Sequence, residues 1–403
     1  MNSIFENCVN LKHVKVRTID STITKKSKLD LSQCNNRNIS KIEHLDFFID
    51  SSNIELDLRS PNLYNLTTLN IKGFNELCLN NFTSNIQNLK IDNYSISIIE
   101  KNLLEKLPKL KSLECSVASA NELIQLFKIN SIEKLKIIIN DVSNETPDID
   151  LHSMTCQNLK YLYIYNDNDL FNEIISKISG FNFPNLEYLE LNFNEYDDEL
   201  KLTKNSSLSN LKTLKLNGLS DNSIKSIFES KYFANVTNLK LQSTTISSDI
   251  LLYFIKSKLF QNLERFVGYA GESLNGYEEF FQTSKLKSLK KLAIYRPNNI
   301  NDLLYLAKCK ILTNLEYLNV PFYDVLRHSI DFPDNFFQTL CENEISFQNL
   351  KELLIPVTRD EQVHSIINSH LKRVKFEMYS NNFNVDTFKL LAQNNIKPYR
   401  TMY

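Results

Sequence analysis

The residue types that most often carry out chemistry are scattered along this 403-residue chain. A metal site needs histidine, cysteine or carboxylate side chains at close spacing, and a nucleophilic site needs a serine or cysteine beside a base. The sequence contains no H-x-x-x-H, C-x-x-C or G-x-S-x-G pattern. Its six histidines and seven cysteines are His13, His44, His152, His328, His364, His370, Cys8, Cys34, Cys78, Cys115, Cys156, Cys309 and Cys341.

Three weaker patterns also argue against a catalytic, metal or phosphate-binding site. His364 and His370 lie six residues apart across a predicted helix-to-strand turn, which is a poor spacing for two ligands of one metal. The acidic run Asp197-Asp198-Glu199 is typical of a solvated loop. Six glycines and no G-K-[ST] motif exclude a phosphate-binding loop. The sequence therefore predicts no catalytic residue, no metal site and no cofactor.

One seven-residue sequence motif, called the phrase below, recurs through the chain. Because it defines the fold, it also determines where functional residues can lie. It reads NLEYLEL from Asn185, NLKTLKL from Asn210 and NVTNLKL from Asn235, with starts 25 residues apart. A fixed period of this length predicts stacked repeats that each contribute one short parallel strand. Fifteen such phrases can be found, and their first apolar residues are Leu11, Ile42, Leu66, Ile86, Leu110, Ile132, Leu159, Leu186, Leu211, Val236, Leu263, Leu289, Leu315, Leu350 and Leu371.

The segments that return the chain between phrases change character. Residues 53–58 and 75–79 alternate apolar and polar side chains, which predicts extended segments on the convex side of the N-terminal third. From Asn121 onward they carry helical apolar stripes that open on capping-type residues, as at Asp221, Asp249 and Asn301.

The rhythm breaks at three places: 140–157, 268–276 and 322–344. We predict one solenoid over 1–403, with a short N-terminal edge at 1–10, repeats over 11–380 and a C-terminal cap at 381–403.

The phrase N-L-x-x-L-x-L, with capped helical returns near 26 residues, resembles the leucine-rich-repeat superfamily. Within it the repeats are most similar to the cysteine-containing and ribonuclease-inhibitor-like subtypes, as in F-box-associated proteins. The resemblance implies an α/β solenoid, a horseshoe of about 15 parallel concave strands. Many such repeats place an asparagine three residues after the last strand leucine. Here that residue is Asn194, and other repeats carry Phe74, Tyr94, Leu219 or Thr244 instead.

The third, fifth and seventh residues of each phrase should form one exposed surface, the predicted concave face, because side chains alternate along a strand. Over the fifteen phrases this surface, hereafter the strand face, carries twelve Lys or Arg against six Asp or Glu, on a chain of net charge −1. It also carries seven of the 18 tyrosines. The residues predicted to bind a partner are Lys136, Tyr161, Tyr163, Tyr165, Tyr188, Lys215, Lys240, Arg265, Tyr269, Lys291, Tyr295 and Tyr317.

Tyrosine and arginine supply much of the binding energy at protein interfaces, so the sequence predicts a non-enzymatic scaffold or adaptor. The expected partner is a protein, with an acidic or extended segment lying on the strand face. The alternative is that these residues have only structural roles, because tyrosine has a high strand propensity and lysines on an exposed sheet prevent aggregation.

Three other functions stay open at this point. F-box proteins often carry repeats like these, so the chain could be the substrate-recognition subunit of a ubiquitin ligase, although no F-box-like bundle precedes Leu11. A leucine-rich-repeat protein activates a small GTPase, for which Arg265 and Arg296 would be the residues to examine. The basic, tyrosine-lined face could also stack single-stranded nucleic acid, although the net charge of −1 argues against a strongly basic binder.

Location is predicted from what the sequence lacks. No run of about 18 apolar residues occurs, and the N-terminus has no basic segment followed by an apolar one. Scattered, odd-numbered cysteines are typical of reduced thiols. We therefore expect a cytoplasmic or nuclear protein with no membrane partner.

Overall fold

A computed structural model of the chain describes the following residues: 11–18, 27–31, 39–49, 54–73, 76–78, 85–92, 107–117, 120–139, 155–166, 180–196, 201–270, 277–295, 300–320, 334–378, 383–394 and 396. They fall into two compact units, Met1–Asn194 (unit 1) and Glu195–Tyr403 (unit 2).

Fifteen strands form a parallel sheet in which they follow one another in chain order, as the repeats predicted. Three further strands, β2, β4 and β6, form a separate parallel sheet in unit 1. The strands are β1 His13–Thr18, β2 Ser27–Asp30, β3 His44–Ile49, β4 Ile54–Asp57, β5 Thr68–Lys72, β6 Glu76–Cys78, β7 Asn88–Asp92, β8 Ser112–Val117, β9 Lys134–Ile139, β10 Tyr161–Asn166, β11 Tyr188–Tyr196, β12 Thr213–Leu219, β13 Asn238–Ile246, β14 Arg265–Ala270, β15 Lys291–Tyr295, β16 Tyr317–Asn319, β17 Glu352–Val357 and β18 Lys375–Met378.

Alternation along each strand separates core from surface. In β12, Leu214 and Leu216 are buried while Thr213 and Lys215 on the other face are half-buried. The first apolar residue of every phrase after the first is buried as well, whereas Leu11 is half-buried, so most repeats place three apolar side chains in the interior. Burying a side chain of this size stabilises the fold by about 1.5–3 kcal/mol, which is why apolar residues occupy these positions.

The returning segments change from extended to helical along the chain, as predicted. In unit 1 the extended segments pair as β2–β4 and β4–β6, with Leu29 in register with Leu56. Among the described residues, the α-helices are α1 Ala120–Phe127, α2 Asp221–Glu229, α3 Ser248–Lys256, α4 Tyr277–Gln282, α5 Ile300–Lys308, α6 Asp334–Glu342, α7 Asp360–Ile367 and α8 Val385–Gln393. Short 3-10 helices cover Ile39–Lys41, Lys201–Lys204, Ser206–Asn210, Lys231–Phe233, Ser284–Ser288 and His370–Arg373.

The helix starts lie slightly earlier than the sequence suggested. Ser220 caps α2 by accepting a hydrogen bond from the backbone N–H of Ser223, and Ser247 caps α3 in the same way. Asp221 and Asp249, which looked like the capping residues, lie inside the first turn, where their charge favours the helix dipole.

The last strand is shifted by two residues from the predicted phrase. Lys375 is in register with Glu352, and Phe376 with Leu353. Phe376 therefore takes the fourth position that the sequence assigned to Val374, and the segment His370–Arg373 is a 3-10 helix. Arg373 consequently leaves the strand face.

Asparagine side chains connect neighbouring repeats at the first position of the phrase, whereas the family resemblance suggested an asparagine after the strand. The asparagine that opens a phrase donates its side-chain N–H to a backbone carbonyl at the start of the preceding phrase. Asn185 bonds Gln157 O at 2.7 Å, and Asn235 bonds Ser209 O at 2.8 Å. Further bonds of this kind are made by Asn65, Asn85, Asn158, Asn314 and Asn349. These bonds satisfy carbonyls that the strands leave unpaired.

Several predicted features lie wholly or partly outside the described residues. They are the edge at 1–10, residues 140–154 of the first break, 271–276 of the glycine-rich segment, 322–333 of the long return, and 381–382, 395 and 397–403 of the cap. Within the predicted cap, α8 buries Thr387 and Leu391. The division into edge, repeats and cap stays a prediction.

Candidate functional site

Three neighbouring strands of unit 1, β9, β10 and β11, carry all five predicted site residues of that unit. The registers align Lys134, Tyr161 and Tyr188 in one row across β9, β10 and β11. They also align Lys136, Tyr163 and Glu190 in the next row, and Ile138, Tyr165 and Asn192 in the third. We call these nine residues the tyrosine grid.

Both faces of the Tyr161 ring are occupied. Tyr188 stacks on one of them, with ring centroids 4.1 Å apart and planes 14° from parallel. The Lys134 ammonium lies 4.9 Å from the Tyr161 centroid. In the next row the Lys136 ammonium lies 5.1 Å from the Tyr163 centroid. Cation–π contacts of this kind contribute about 0.5–1 kcal/mol at exposed sites, so they orient the rings more than they stabilise the fold.

A carboxylate of β8 ties the grid to the strands beside it. Glu114 accepts hydrogen bonds from Lys90 at 2.7 Å and from Lys136 at 2.9 Å. Partial burial opposes its ionisation, but the two lysine hydrogen bonds outweigh that effect and hold the pKa of the Glu114 carboxyl below its usual value. The ammonium of Lys136 is thus paired with a carboxylate of the same protein.

The tyrosine hydroxyls are also engaged. Asn192 donates to the Tyr163 hydroxyl oxygen at 3.1 Å, and the Tyr188 hydroxyl donates to Glu190. Burial, reinforced for Tyr188 by the Glu190 carboxylate, raises the pKa of Tyr161, Tyr163 and Tyr188. These tyrosines stay neutral at physiological pH. Tyr165 is 37% exposed and presents the most accessible ring of the grid.

The N-terminal part of the same face is internally paired too. His13 Nε2 lies 2.9 Å from Asp46 Oδ2, and Asn70 donates to the other Asp46 oxygen at 2.6 Å. Burial of Asp46 opposes ionisation, but the bonds from His13 and Asn70 outweigh it and lower the pKa of its carboxyl. Lys72 pairs with Asp92 at 3.2 Å.

The strand face of unit 2 has a different composition. Lys215 and Lys240 are in register on β12 and β13, and Arg265 and Lys291 are in register on β14 and β15. Lys215 and Lys240 are half-buried, whereas Arg265 and Lys291 are exposed. No acidic residue occupies a third, fifth or seventh position from Thr213 on β12 to Asn319 on β16.

Comparisons with known proteins address the fold. No protein-family model and no curated protein matches the chain. Among solved structures, that of the TLR13–ssRNA13 complex is similar with a TM-score of 0.50 at 16% identity, over 90% of this chain and 60% of that one. The chain has the leucine-rich-repeat fold. Its subtype stays a prediction.

Two other leucine-rich-repeat structures are similar at lower scores. An internalin from Listeria monocytogenes str. 4b F2365 has a TM-score of 0.41 and 16% identity, over 75% of this chain and 84% of that one. The yeast complex of Rad7 and Elc1 has a TM-score of 0.43 and 12% identity, over 81% and 80%.

The remaining predicted site residues lie on the leucine-rich-repeat strands of unit 2. Tyr269 and Tyr295 are in register on β14 and β15, and their side chains lie outside the described residues. Tyr317 is in register with Lys291, and its hydroxyl oxygen accepts a hydrogen bond from Asn319 at 3.2 Å. Arg296 lies outside the described residues.

Sequence reasoning missed Glu114. It occupies the fifth phrase position, and Lys90 and Lys136 occupy the same position in the flanking repeats. Comparing this position between adjacent leucine-rich repeats would have identified the bridge, because parallel strands place equivalent residues side by side.

The described cysteines Cys115, Cys156, Cys309 and Cys341 are buried, and burial raises the pKa of each thiol, to about 12 for Cys156. Cys156 and Cys309 donate to backbone carbonyls of the preceding leucine-rich repeat, at 3.4 and 3.0 Å. Such thiols are poor nucleophiles. Across the described ranges, the side chains form no group of three or more metal-ligating residues, and no helix is long and apolar enough to cross a bilayer.

Proposed function

We propose that this protein is a non-enzymatic interaction scaffold or adaptor, and that a partner protein lies on the tyrosine grid of unit 1. The observation that carries the proposal is the stacked pair Tyr161–Tyr188 between Lys134 and Glu190. Each ring has a covered face and a polar tip, so the pair adds large contact area with little flexibility. Interfaces favour tyrosine for this combination.

The grid is held in place before any partner arrives. Lys136 is held by Glu114, Tyr163 by Asn192, and Tyr188 by Glu190. Immobilising a flexible side chain on binding costs about 0.5–1.5 kcal/mol, and much of that cost is already met within the folded chain. A surface pre-ordered in this way supports specific binding.

Single-stranded nucleic acid would also be attracted by tyrosines and lysines, but the geometry favours a protein. A base that stacks needs an open ring face, and Lys134 and Tyr188 cover both faces of Tyr161. Glu114 and Glu190 place two carboxylates on the same surface, where they would repel phosphates. Nucleic-acid affinity would fall steeply with added salt, whereas contact through tyrosine would change little.

The proposal is tested by affinity capture from native lysate with the wild type and the variant Tyr161→Ala/Tyr188→Ala. The control is Tyr305→Ala, which removes an exposed tyrosine (38%) from α5, outside the strand face. We expect a discrete protein that the wild type and the control retain and the double variant loses. Equal capture by all three proteins would contradict a role for the grid.

A further inference from the structure

Unit 2 also carries exposed tyrosines on its helices, outside the strand face. Tyr253 lies on α3 and is 36% exposed, and Tyr305 lies on α5 and is 38% exposed. A single exposed ring is common on protein surfaces and indicates nothing by itself. The charged side chains beside each ring decide what it can bind.

The helices of consecutive repeats have equivalent positions, which show which side chains are neighbours. Each of α2, α4 and α5 buries three residues at the spacing i, i+3 and i+4. These residues are Ile224, Ile227 and Phe228 of α2, Tyr277, Phe280 and Phe281 of α4, and Leu303, Leu306 and Ala307 of α5. In α3 the same positions hold Leu251, Phe254 and the half-buried Ile255. Consecutive helices are in contact, so stacking places equivalent residues side by side.

A lysine covers one of the two exposed rings. The Lys225 ammonium of α2 lies 4.5 Å from the centroid of the Tyr253 ring on the next helix. Lys225 directly follows the first buried position of its helix, and Tyr253 stands two residues after that position. The equivalent pair on α4 and α5 is Glu278 and Tyr305. One pair of helices therefore places a cation on a tyrosine, and the other pair places a carboxylate there.

Two glutamates of α4 and the tyrosine of α5 form an exposed surface, the α4–α5 patch, defined as Glu278, Glu279 and Tyr305. Glu279 occupies the position on α4 that Tyr305 occupies on α5. Glu278 accepts a hydrogen bond from Gln282 at 3.4 Å. Across the described residues, the side chains of Glu279 and Tyr305 form no hydrogen bond, ion pair or ring contact. The patch thus offers an uncovered ring and two carboxylates.

We propose that the α4–α5 patch binds an arginine of a basic protein segment. Charge complementarity is one argument, because α4 carries two acidic residues and no basic one. The Lys225–Tyr253 contact is the other, because it shows the cation that an equivalent ring accepts within this chain. Arginine suits the patch better than lysine, since its planar group stacks on tyrosine while its N–H groups donate to a carboxylate.

This inference rests on the proposed function only in taking the chain to be a protein-binding scaffold. The patch lies on helices of unit 2 and shares no residue with the tyrosine grid of unit 1. Tyr305→Ala, the control for the grid, removes the ring of the patch, and the grid variant Tyr161→Ala/Tyr188→Ala leaves the patch intact. Each proposal can therefore hold or fail independently of the other.

The test is fluorescence anisotropy at low ionic strength with the full chain and a labelled peptide, Arg-Gly-Arg-Gly-Arg between Gly-Ser flanks. The same peptide with citrulline in place of arginine keeps the shape of the side chain and removes its charge. The patch variants are Tyr305→Ala and Glu278→Gln/Glu279→Gln. The control Glu344→Gln/Glu361→Gln removes the same charge from two exposed residues of unit 2 outside the patch.

We expect Tyr305→Ala to bind the arginine peptide about threefold more weakly than the wild type, the loss of one exposed cation–π contact. Glu278→Gln/Glu279→Gln should weaken binding by about threefold to tenfold, and the control by less than about twofold. The grid variant should bind the peptide as the wild type does. Absent binding, equal binding of the citrulline peptide, or an equal loss in the control would overturn the proposal.

The variant Lys225→Glu tests the equivalence of the two helix pairs directly, because it gives Tyr253 the neighbour that Tyr305 has. We expect a second site for the arginine peptide, so the amount of peptide bound at saturation should about double. Unchanged binding by this variant would contradict the comparison on which the proposal depends.

Discussion

The lysines on the strand faces of the two units have different surroundings. In unit 1, Lys90 and Lys136 share Glu114, and Lys134 lies over an aromatic ring. In unit 2, no acidic residue occupies a third, fifth or seventh phrase position from β12 to β16, the strands that carry Lys240 and Arg265. Both faces are built from the same leucine phrase, so the repeat determines where these side chains stand and leaves their chemistry free to vary. The same repeat can thus carry a tyrosine-rich surface and a lysine- and arginine-rich one.

The largest expected effect concerns a cation of unit 2 that is not on its strand face. Lys285 is buried, hydrogen-bonds the Phe254 carbonyl near the end of α3, and lies 4.9 Å from the Phe254 ring centroid. Burial lowers the pKa of its ammonium from 10.5 to about 8. Between these pH values the unfolded chain binds more protons, so stability should rise with pH, by up to about 3 kcal/mol.

Replacing this lysine isolates its contribution. We expect the free energy of unfolding of Lys285→Met, measured with urea from pH 7 to pH 10.5, to lack this rise. Lys287→Met, at an exposed position two residues later, should follow the wild type. Parallel curves for Lys285→Met and the wild type would show that the buried ammonium does not have a lowered pKa.

The second prediction concerns the Tyr161–Tyr188 stack of unit 1. The free energies of unfolding of the two single alanine variants and the double variant should give a coupling of about 0.5–1.5 kcal/mol, the usual value for an aromatic pair. Tyr161→Ala combined with Tyr317→Ala should be additive, because five other strands separate β10 from β16 in the sheet. A coupling near zero for Tyr161 and Tyr188 would mean that the rings do not stack in solution.

The third prediction concerns Glu114, the carboxylate of the unit 1 strand face that is shared by two lysines. Glu114→Gln should cost about 1 kcal/mol at pH 7, because the two lysine contacts are partly exposed and screened. The pKa of this carboxyl is lowered in the folded chain, so its contribution is present above the unfolded pKa and lost as pH falls through the folded pKa. Acid unfolding of the variant should accordingly depend less on pH. Identical acid titrations would contradict the bridge.

The smallest effect on stability is expected at the exposed cations of the unit 2 face. Arg265→Glu/Lys291→Glu should change the free energy of unfolding by less than about 0.5 kcal/mol, as substitutions of exposed residues usually do. Thermal melts of the variant and the wild type measure this change. A large fall in stability would make these two cations structural.

Periodicity predicts much of this fold, because each repeat must bury the same apolar positions. Fourteen strands follow the predicted phrase, and the fifteenth is displaced because Leu371 enters a 3-10 helix and Phe376 takes the core position. The composition of the candidate site is equally visible in the sequence. Its pairings are not, because ring stacking at Tyr161 and carboxylate sharing at Glu114 depend on side-chain rotamers across neighbouring strands.

The burial of Lys285 could not be predicted from the sequence. A lysine is expected at the surface, and here its ammonium takes a place that serine or cysteine fills in other repeats. Ser257 bonds the Phe228 carbonyl at 2.8 Å, and Cys309 bonds the Phe281 carbonyl at 3.0 Å. The equivalence is spatial, because these donors stand at different distances from their phrases, and it becomes evident only when the helix ends are placed side by side.

The most direct test of the account is site-specific photo-crosslinking in native lysate, with p-benzoylphenylalanine replacing Tyr165 on the tyrosine grid. The control places the same group at Gln125, an exposed residue of α1 in the same unit. We predict one discrete cross-linked protein from Tyr165 and none of that mass from Gln125. The same product from both positions, or none from Tyr165, would contradict the assignment of the grid as the partner-binding surface.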